Sequence, residues 1–220
     1  MRGAGKTRLR GRIIADPLNL IQIMLAKGRR FSAIVSTSPE GDVMEKMLKS
    51  TSGKIAFIAI MAALTSLTNL IMIPMPQPLA EYDLSPVLIY TLGVLAEPVT
   101  ATMIVALAMM LGTGYKVMTF GFPIVFVFGA MLVRGLEAGL ISALVRIRKE
   151  ETSTISIWEI ITMVIGVVFE TVGFFVLDWY LFGWGVALTV LPTIVDAVFI
   201  PVAIGVIAAV RKRLGVYRLM

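Results

Sequence analysis

Apolar residues in this chain come in long unbroken runs, without the alternation of a half-buried strand or the one-faced repeat of a helix lying against water. A helix rises about 1.5 Å per residue, so crossing about 30 Å of hydrocarbon takes about 20 apolar residues. Four stretches reach that length: 55 to 73, 120 to 145, 155 to 182 and 186 to 210. Between the first two lies SPVLIYTLGVLAEPVTATMIVALAMMLG, residues 85 to 112, which reads as one helix or two. Proline inside a helix removes an internal hydrogen bond, whereas in a first turn its missing N–H is no loss, so Glu97-Pro98 predicts a break and a restart. The pattern predicts an all-α membrane protein, a six-transmembrane-helix bundle with spans at about 55–73, 86–96, 98–112, 120–145, 155–182 and 186–210. A tail, 1–54, precedes it and a short tail, 214–220, follows. Segment 86–96 is too short to cross alone; it must lean on neighbours, start inside the preceding loop, or form a re-entrant pair with 98–112.

Charge orients these spans. Residues 1–54 hold 11 Lys/Arg against 4 Asp/Glu, and the remainder holds 9 against 10. With six spans the basic tail, the Arg146-to-Lys149 loop and the Arg211-Lys212-Arg213 end share one side, which five spans would not allow. The positive-inside rule then makes both termini cytoplasmic in a multi-pass plasma-membrane protein. It leaves PMPQPLAEYDLS (74–85), GTGYKVM (112–118) and the Trp179 to Trp184 turn outside, with Lys116 as the only cation there. Trp158 would mark the inner interface, and Trp179, Tyr180 and Trp184 the outer one. The tail is accordingly assigned to the lipid surface and not to nucleic acid; its RIIADPLNLIQIML stretch is apolar but has no clean amphipathic period.

Composition agrees: of 220 residues 58% are apolar and 15% charged, outside soluble usage. Cysteine and histidine are both absent, which removes disulfides, thiolate metal sites and the commonest metal ligand and general base. No catalytic residues, cofactor or metal site is expected.

The informative residues are the charges inside the runs. Phe120 to Val145 carries no charge except Arg134 and Glu137. Arg134, Glu170 and Asp196 each fall within about two residues, or about 3 Å, of the midpoint of spans four, five and six. A charge at the bilayer centre costs at least about 2.5–3.5 kcal/mol, so these side chains are expected to face the bundle interior and find partners or water. Either they form an ion-pair network that fixes helix rotation, or they line a polar cavity for a hydrophilic solute. Glu137, three residues after Arg134, reads as a structural partner of it, and Gly135 and Gly139 read as a close helix contact. In the outer loop three alternating prolines favour an extended path over the bundle mouth, from which Glu81, Tyr82 and Asp83 are placed to reach a ligand.

Two motifs mislead. GAGKT near the N-terminus looks like the end of a phosphate-binding loop, but the glycine that motif needs five residues before Gly5 would precede Met1. Asp178 and Asp196 evoke a carboxylate pair for intramembrane proteolysis, yet their depths differ by about 9 Å, and serine-type proteolysis needs the histidine this chain lacks.

The layout resembles the substrate-binding S component of energy-coupling factor (ECF) transporters, a six-helix vitamin-capturing membrane subunit. KIAFIAIMAALTSLTNLIMIPMP resembles that family's first helix, and DLSPVLIYTLGVLAEPVTATMIVALAMMLG its helix, turn and helix. TFGFPIVFVFGAMLVRGLEAGLISAL resembles its fourth span and LPTIVDAVFIPVAIGVIAAVRKRL its last, covering about 55 to 213. The resemblance implies capture of a small organic solute between the outer loop and the outer halves of spans four to six, with a transmembrane T component and two cytosolic ATPases as partners. It carries Glu81, Tyr82, Asp83, Arg134, Glu170, Asp178 and Asp196 onto this chain as pocket residues, and Ala59 and Ala63 as a partner-docking strip. Arg134 would then suit a carboxylate or phosphate on the solute. Two rival readings stand beside it: a proton-coupled secondary carrier using Glu170 or Asp196, and a membrane scaffold whose charges only lock the bundle.

Overall fold

The computed structural model of the chain describes residues 50–73, 82–121, 123–148 and 155–214. Helix α1, Thr51–Leu70, starts at Ser50, whose hydroxyl accepts the Gly53 N–H at 3.0 Å. A two-residue strand, β1 (Met72–Ile73), pairs antiparallel with β2 (Tyr82–Asp83). Helix α2, Ser85–Leu95, stops at Ala96, and α3 restarts with Pro98 in its first turn and runs to Phe120. The break at Glu97-Pro98 is therefore where proline chemistry places it.

Helix α4 is Val125–Ile147 and α5 is Ile157–Phe182, the latter opened by a capping box in which Ser156 and Glu159 exchange side-chain and backbone hydrogen bonds. The chain then turns at Gly183, in the left-handed region at φ 88°, into α6 (Trp184–Leu188), a 3-10 helix (Leu191–Phe199) and α7 (Ile200–Leu214).

Polarity is distributed inside out. Rows of large apolar side chains point outward, among them Ile60 and Leu67 on α1, Phe128 and Leu132 on α4, and Val168, Val172 and Val176 on α5. The charged Arg134, Glu137, Glu170 and Asp196 are 7%, 0%, 0% and 2% exposed. Soluble monomers do not present apolar surface on this scale, so the bundle is built for hydrocarbon. Among the described residues five helical stretches are long and apolar enough to cross a membrane: Thr51–Leu70, Pro98–Phe120, Val125–Ile147, Ile157–Phe182 and Trp184–Arg213.

Two expectations need correction. GTGYKVM is not an outer loop: α3 continues through it, because no proline intervenes and Gly112 lets Asn69 of α1 pack where a side chain would stand. The helix instead ends at Gly121, which adopts φ 73° and so tolerates the left-handed cap. Next, Asp196 does not sit on an α-helix. Pro201 cannot donate to the carbonyl four residues back, and the segment before it tightens into the 3-10 form. The short α2, 11 residues and so about 16 Å long, leans on its neighbours as an interior element. Ile89, Tyr90, Leu92, Val94 and Leu95 are all buried, and its Gly93 lies against Ile141 of α4. A helix enclosed by others has no need to match the thickness of the bilayer.

Candidate functional site: a buried polar hub around Arg134

Asp83 begins the hub. It ends β2 and opens α2 through an Asx turn, its Oδ1 accepting the Ser85 N–H at 2.8 Å and the Ser85 hydroxyl as well. The same carboxylate's Oδ2 accepts from Asn69 Nδ2 of α1 at 2.9 Å and from Arg134 Nη1 of α4 at 3.0 Å, with Lys116 Nζ of α3 at 3.5 Å. Burial works to raise this carboxyl; the Arg134 guanidinium, then the Lys116 ammonium, and then the Ser85 bonds outweigh it and hold it below its ordinary value. Because Asp83 opens α2 and Lys116 lies near the end of α3, the two helices run in opposite senses.

Arg134 ties four elements together. Its Nε donates to Glu170 Oε1 of α5 at 2.7 Å and its Nη1 to Ser85 Oγ at 2.8 Å, beside the Asp83 contact. Its Nη2 stands 4.0 Å from Asp196 Oδ2 on the 3-10 helix, and the guanidinium lies 6.0 Å from the centre of the Phe174 ring. Thus Arg134, Glu170 and Asp196, singled out from sequence, meet at one place in the bundle. The guanidinium's Nε and Nη1 are bonded within the protein, and its Nη2 faces Asp196.

Glu137 departs from its expected role. It makes no hydrogen bond to Arg134, and neither carboxylate oxygen has a hydrogen-bond partner among the described residues. Arg134 instead extends toward Glu170 and Asp83, where bonds across helices hold it. The Tyr90 hydroxyl is likewise buried without a partner among the described residues, whereas the Glu170 and Asp196 carboxyls lie within hydrogen-bond reach of each other, a contact that takes one proton.

Other expected residues fall around the hub or apart from it. Glu81 lies outside the described residues. Tyr82 is buried and its hydroxyl donates to the Pro192 carbonyl, joining β2 to the last span; burial, then the Asp196 and Glu170 charges, raise its pKa. Asp178, about 12 Å further along α5 than Glu170, is buried but makes no hydrogen bond or ion pair with the hub, and does not meet Asp196. Ala59 and Ala63 are exposed on α1, while Ala62 between them packs inward. Gly135 and Gly139 pack against Ala106 and Thr102 of α3, a contact within the bundle.

Lys116, Asn69, Ser85 and Tyr90 were not anticipated. Lys116 was legible: it is the one cation in an apolar stretch with no stop signal before Gly121, the same pattern that marked Arg134. A separate clamp ties α5 to α7, where Arg211 meets Glu159 through two bonds of 3.1 and 2.5 Å. Among the described residues no group of three or more acidic side chains is arranged to hold a metal ion. Comparison of the chain with family models, curated proteins and solved structures gave no match in any of the three.

Proposed function

We propose that this chain is the solute-capturing membrane subunit of an ECF-type importer, taking a small water-soluble vitamin or a related organic solute. In this reading it makes six passes through the plasma membrane, α2 and α3 counting as two, with both termini cytoplasmic. The carrying observation is the convergence of Asp83, Arg134, Glu170 and Asp196 at one place in the bundle, with the Glu137 carboxylate and the Tyr90 hydroxyl buried without hydrogen-bond partners among the described residues. Each unsatisfied buried polar group is costly, and a solute that bonds to them would offset that cost. Arg134 organises the pocket by holding Asp83 and Glu170, while Tyr82 fastens the outer strand to the last span. The outward face of α1 with Ala59 and Ala63 lets a T-component helix approach closely, and two cytosolic ATPases supply the energy.

The test is native mass spectrometry of the protein purified from its own membranes. A retained small solute, together with T-component and ATPase partners, is the expected result. Arg134→Gln should purify folded yet without the solute; retention at wild-type occupancy would reject the pocket. A second reading, a proton-driven secondary carrier, has one observation in its favour: the hub contains more buried carboxyls than cations. It predicts uptake into proteoliposomes that needs no ATPase and stops when the proton gradient is collapsed.

A further inference from the structure

Glu170 and Asp196 meet acid against acid. Their carboxyls lie within hydrogen-bond reach of each other, one on α5 and the other on the 3-10 helix Leu191–Phe199. Both are buried, so water does not screen them. An ionised carboxylate only accepts hydrogen bonds, and two of them this close in a low-dielectric interior repel, so one proton lies between them. Among the described residues no other group donates to Glu170 Oε2 or Asp196 Oδ1. The proton is therefore the bond that joins the pair, and a carboxyl O–H donating to a carboxylate is one of the stronger hydrogen bonds.

What that proton holds is the last span. Arg134 makes its close bonds elsewhere, Nε to Glu170 and Nη1 to Asp83 and Ser85, and its Nη2 stands 4.0 Å from Asp196 Oδ2. Without the proton, two carboxylates would face a single guanidinium already bonded to one of them. The groups around the pair do not relieve this. Glu137 of α4 and Asp83 of β2 add negative potential, and the Tyr82 and Tyr90 hydroxyls of β2 and α2 are neutral until strongly alkaline pH. Lys116 of α3 pairs with Asp83 at 3.5 Å. On α5 itself Asp178 is about 12 Å away, α6 carries no titratable side chain, and Arg211 of α7 is bonded to Glu159.

We propose that Glu170 and Asp196 form a proton-binding site whose proton latches the 3-10 helix of the last span to α5. The site binds its proton whether or not the chain captures a solute, so this goes beyond the proposed function and does not rest on it. The folded chain holds a proton that the same carboxyls, free in the unfolded chain, release above about pH 4. Stability from the latch is full below that pH. It falls as pH rises, by about tenfold in the unfolding constant per pH unit for one proton, until the folded pair also releases it. Asp196, without a close bond to Arg134, then separates from α5.

The experiment uses the full chain in nanodiscs, with infrared spectra taken from about pH 5 to 10. At neutral pH wild type should show the carbonyl band of a protonated carboxyl, which disappears as pH rises. Asp196→Asn and Glu170→Gln should each abolish that band and Glu137→Gln should keep it; the two near-isosteric pair variants guard against misfolding of one. In detergent unfolding, the wild-type unfolding constant should rise by about tenfold per pH unit relative to Asp196→Asn, whose amide donates to Glu170 at every pH. Groups common to both chains cancel in that ratio. Hydrogen exchange over Leu191–Phe199, corrected for the intrinsic base-catalysed rate, should lose protection as the band disappears in wild type and stay constant in Asp196→Asn. A wild type without the band, a band that survives both pair variants, or one that Glu137→Gln removes overturns the site. Unchanged protection of the segment, or parallel pH profiles for wild type and Asp196→Asn, overturns the latch. None of these readouts involves a solute, so their failure leaves the capture reading to be judged by its own mass spectrometry.

Discussion

Replacing Arg134 by glutamine is the most direct perturbation of the bundle. The guanidinium makes three bonds at 2.7, 2.8 and 3.0 Å, two of them to carboxylates on other elements. A glutamine amide is shorter, neutral, and reaches at most one of these acceptors. The size of the loss separates two accounts of the hub. Ordinary hydrogen bonds between membrane helices average about 0.6 kcal/mol and reach about 1.7. Removing one partner of a buried ion pair costs about 3–5 kcal/mol, because it strands the other charge without a counterion. Glu170 and Asp83 are both stranded here, although Asp83 keeps Lys116 and Asn69. The expected loss for Arg134→Gln is therefore about 3–5 kcal/mol.

The assay is reversible unfolding in mixed micelles, titrated with denaturing detergent and read by circular dichroism. Glu137→Gln is the internal control, since no hydrogen bond is lost, and it should stay within about 1 kcal/mol of wild type. Adding Glu170→Gln to Arg134→Gln should restore part of the loss, with a coupling of about 0.5–3 kcal/mol. A loss below about 1.7 kcal/mol for Arg134→Gln, or strict additivity with Glu170→Gln, would refute the buried ion network.

Three further outcomes follow from the geometry. Asp83 has a folded pKa below its unfolded value of about 3.9, so its contribution to stability is full above that value and lost as pH falls through the lower folded value. Thermal stability should thus be insensitive to Asp83 between about pH 5 and 8, and the acid limb of the profile should flatten in Asp83→Asn. Gly93→Val should destabilise by about 1–3 kcal/mol, since the new Cβ would lie 2.8 Å from Ile141 Cγ2 and 2.9 Å from its Cβ; Gly205→Ala, which meets nothing within 4 Å, is the control in the same melts. Ala59→Leu with Ala63→Leu should leave the melting curve unchanged and abolish co-purification of the T component, because both residues point outward on α1.

The elements were legible where hydropathy and proline chemistry agree. The Glu97-Pro98 break and the buried charges Arg134, Glu170 and Asp196 needed only a one-dimensional pattern, since hydrocarbon admits charge only toward the interior. Glu137 was misjudged for a different reason. Spacing of three residues on one helix makes a local pair available, but availability does not choose it: an arginine side chain long enough to cross to α5 and β2 found carboxylates there instead. Lys116 was misplaced because the third span was ended at 112, where the chain carries glycines at 112 and 114. In a bundle they can serve as close-packing positions, and which role they take depends on a neighbour, Asn69, that sequence does not bring together.

The same logic explains why the hub sits where the backbone is least regular. Backbone that leaves the α-helix within hydrocarbon is tolerated only when protein or trapped water satisfies it. The β2 strand, the Asx turn that opens α2 and the 3-10 helix bearing Asp196 all depart from α-helical geometry, and all meet at Arg134. Prolines hold two of these departures in place: Pro86 in the first turn of α2, and Pro192 and Pro201 around the 3-10 segment. An uninterrupted α-helix through Asp196 would satisfy its own amides and turn the carboxylate by 100° per residue. The tighter 3-10 turn changes that angle, so the register of Asp196 against Arg134 depends on Pro201 as well as on the charges. Pro201→Ala should accordingly let the segment relax toward α-helix and move Asp196, weakening solute binding without removing any charged group. Wild-type solute affinity in Pro201→Ala would show that the charges alone, and not the broken helix, set the geometry of the site.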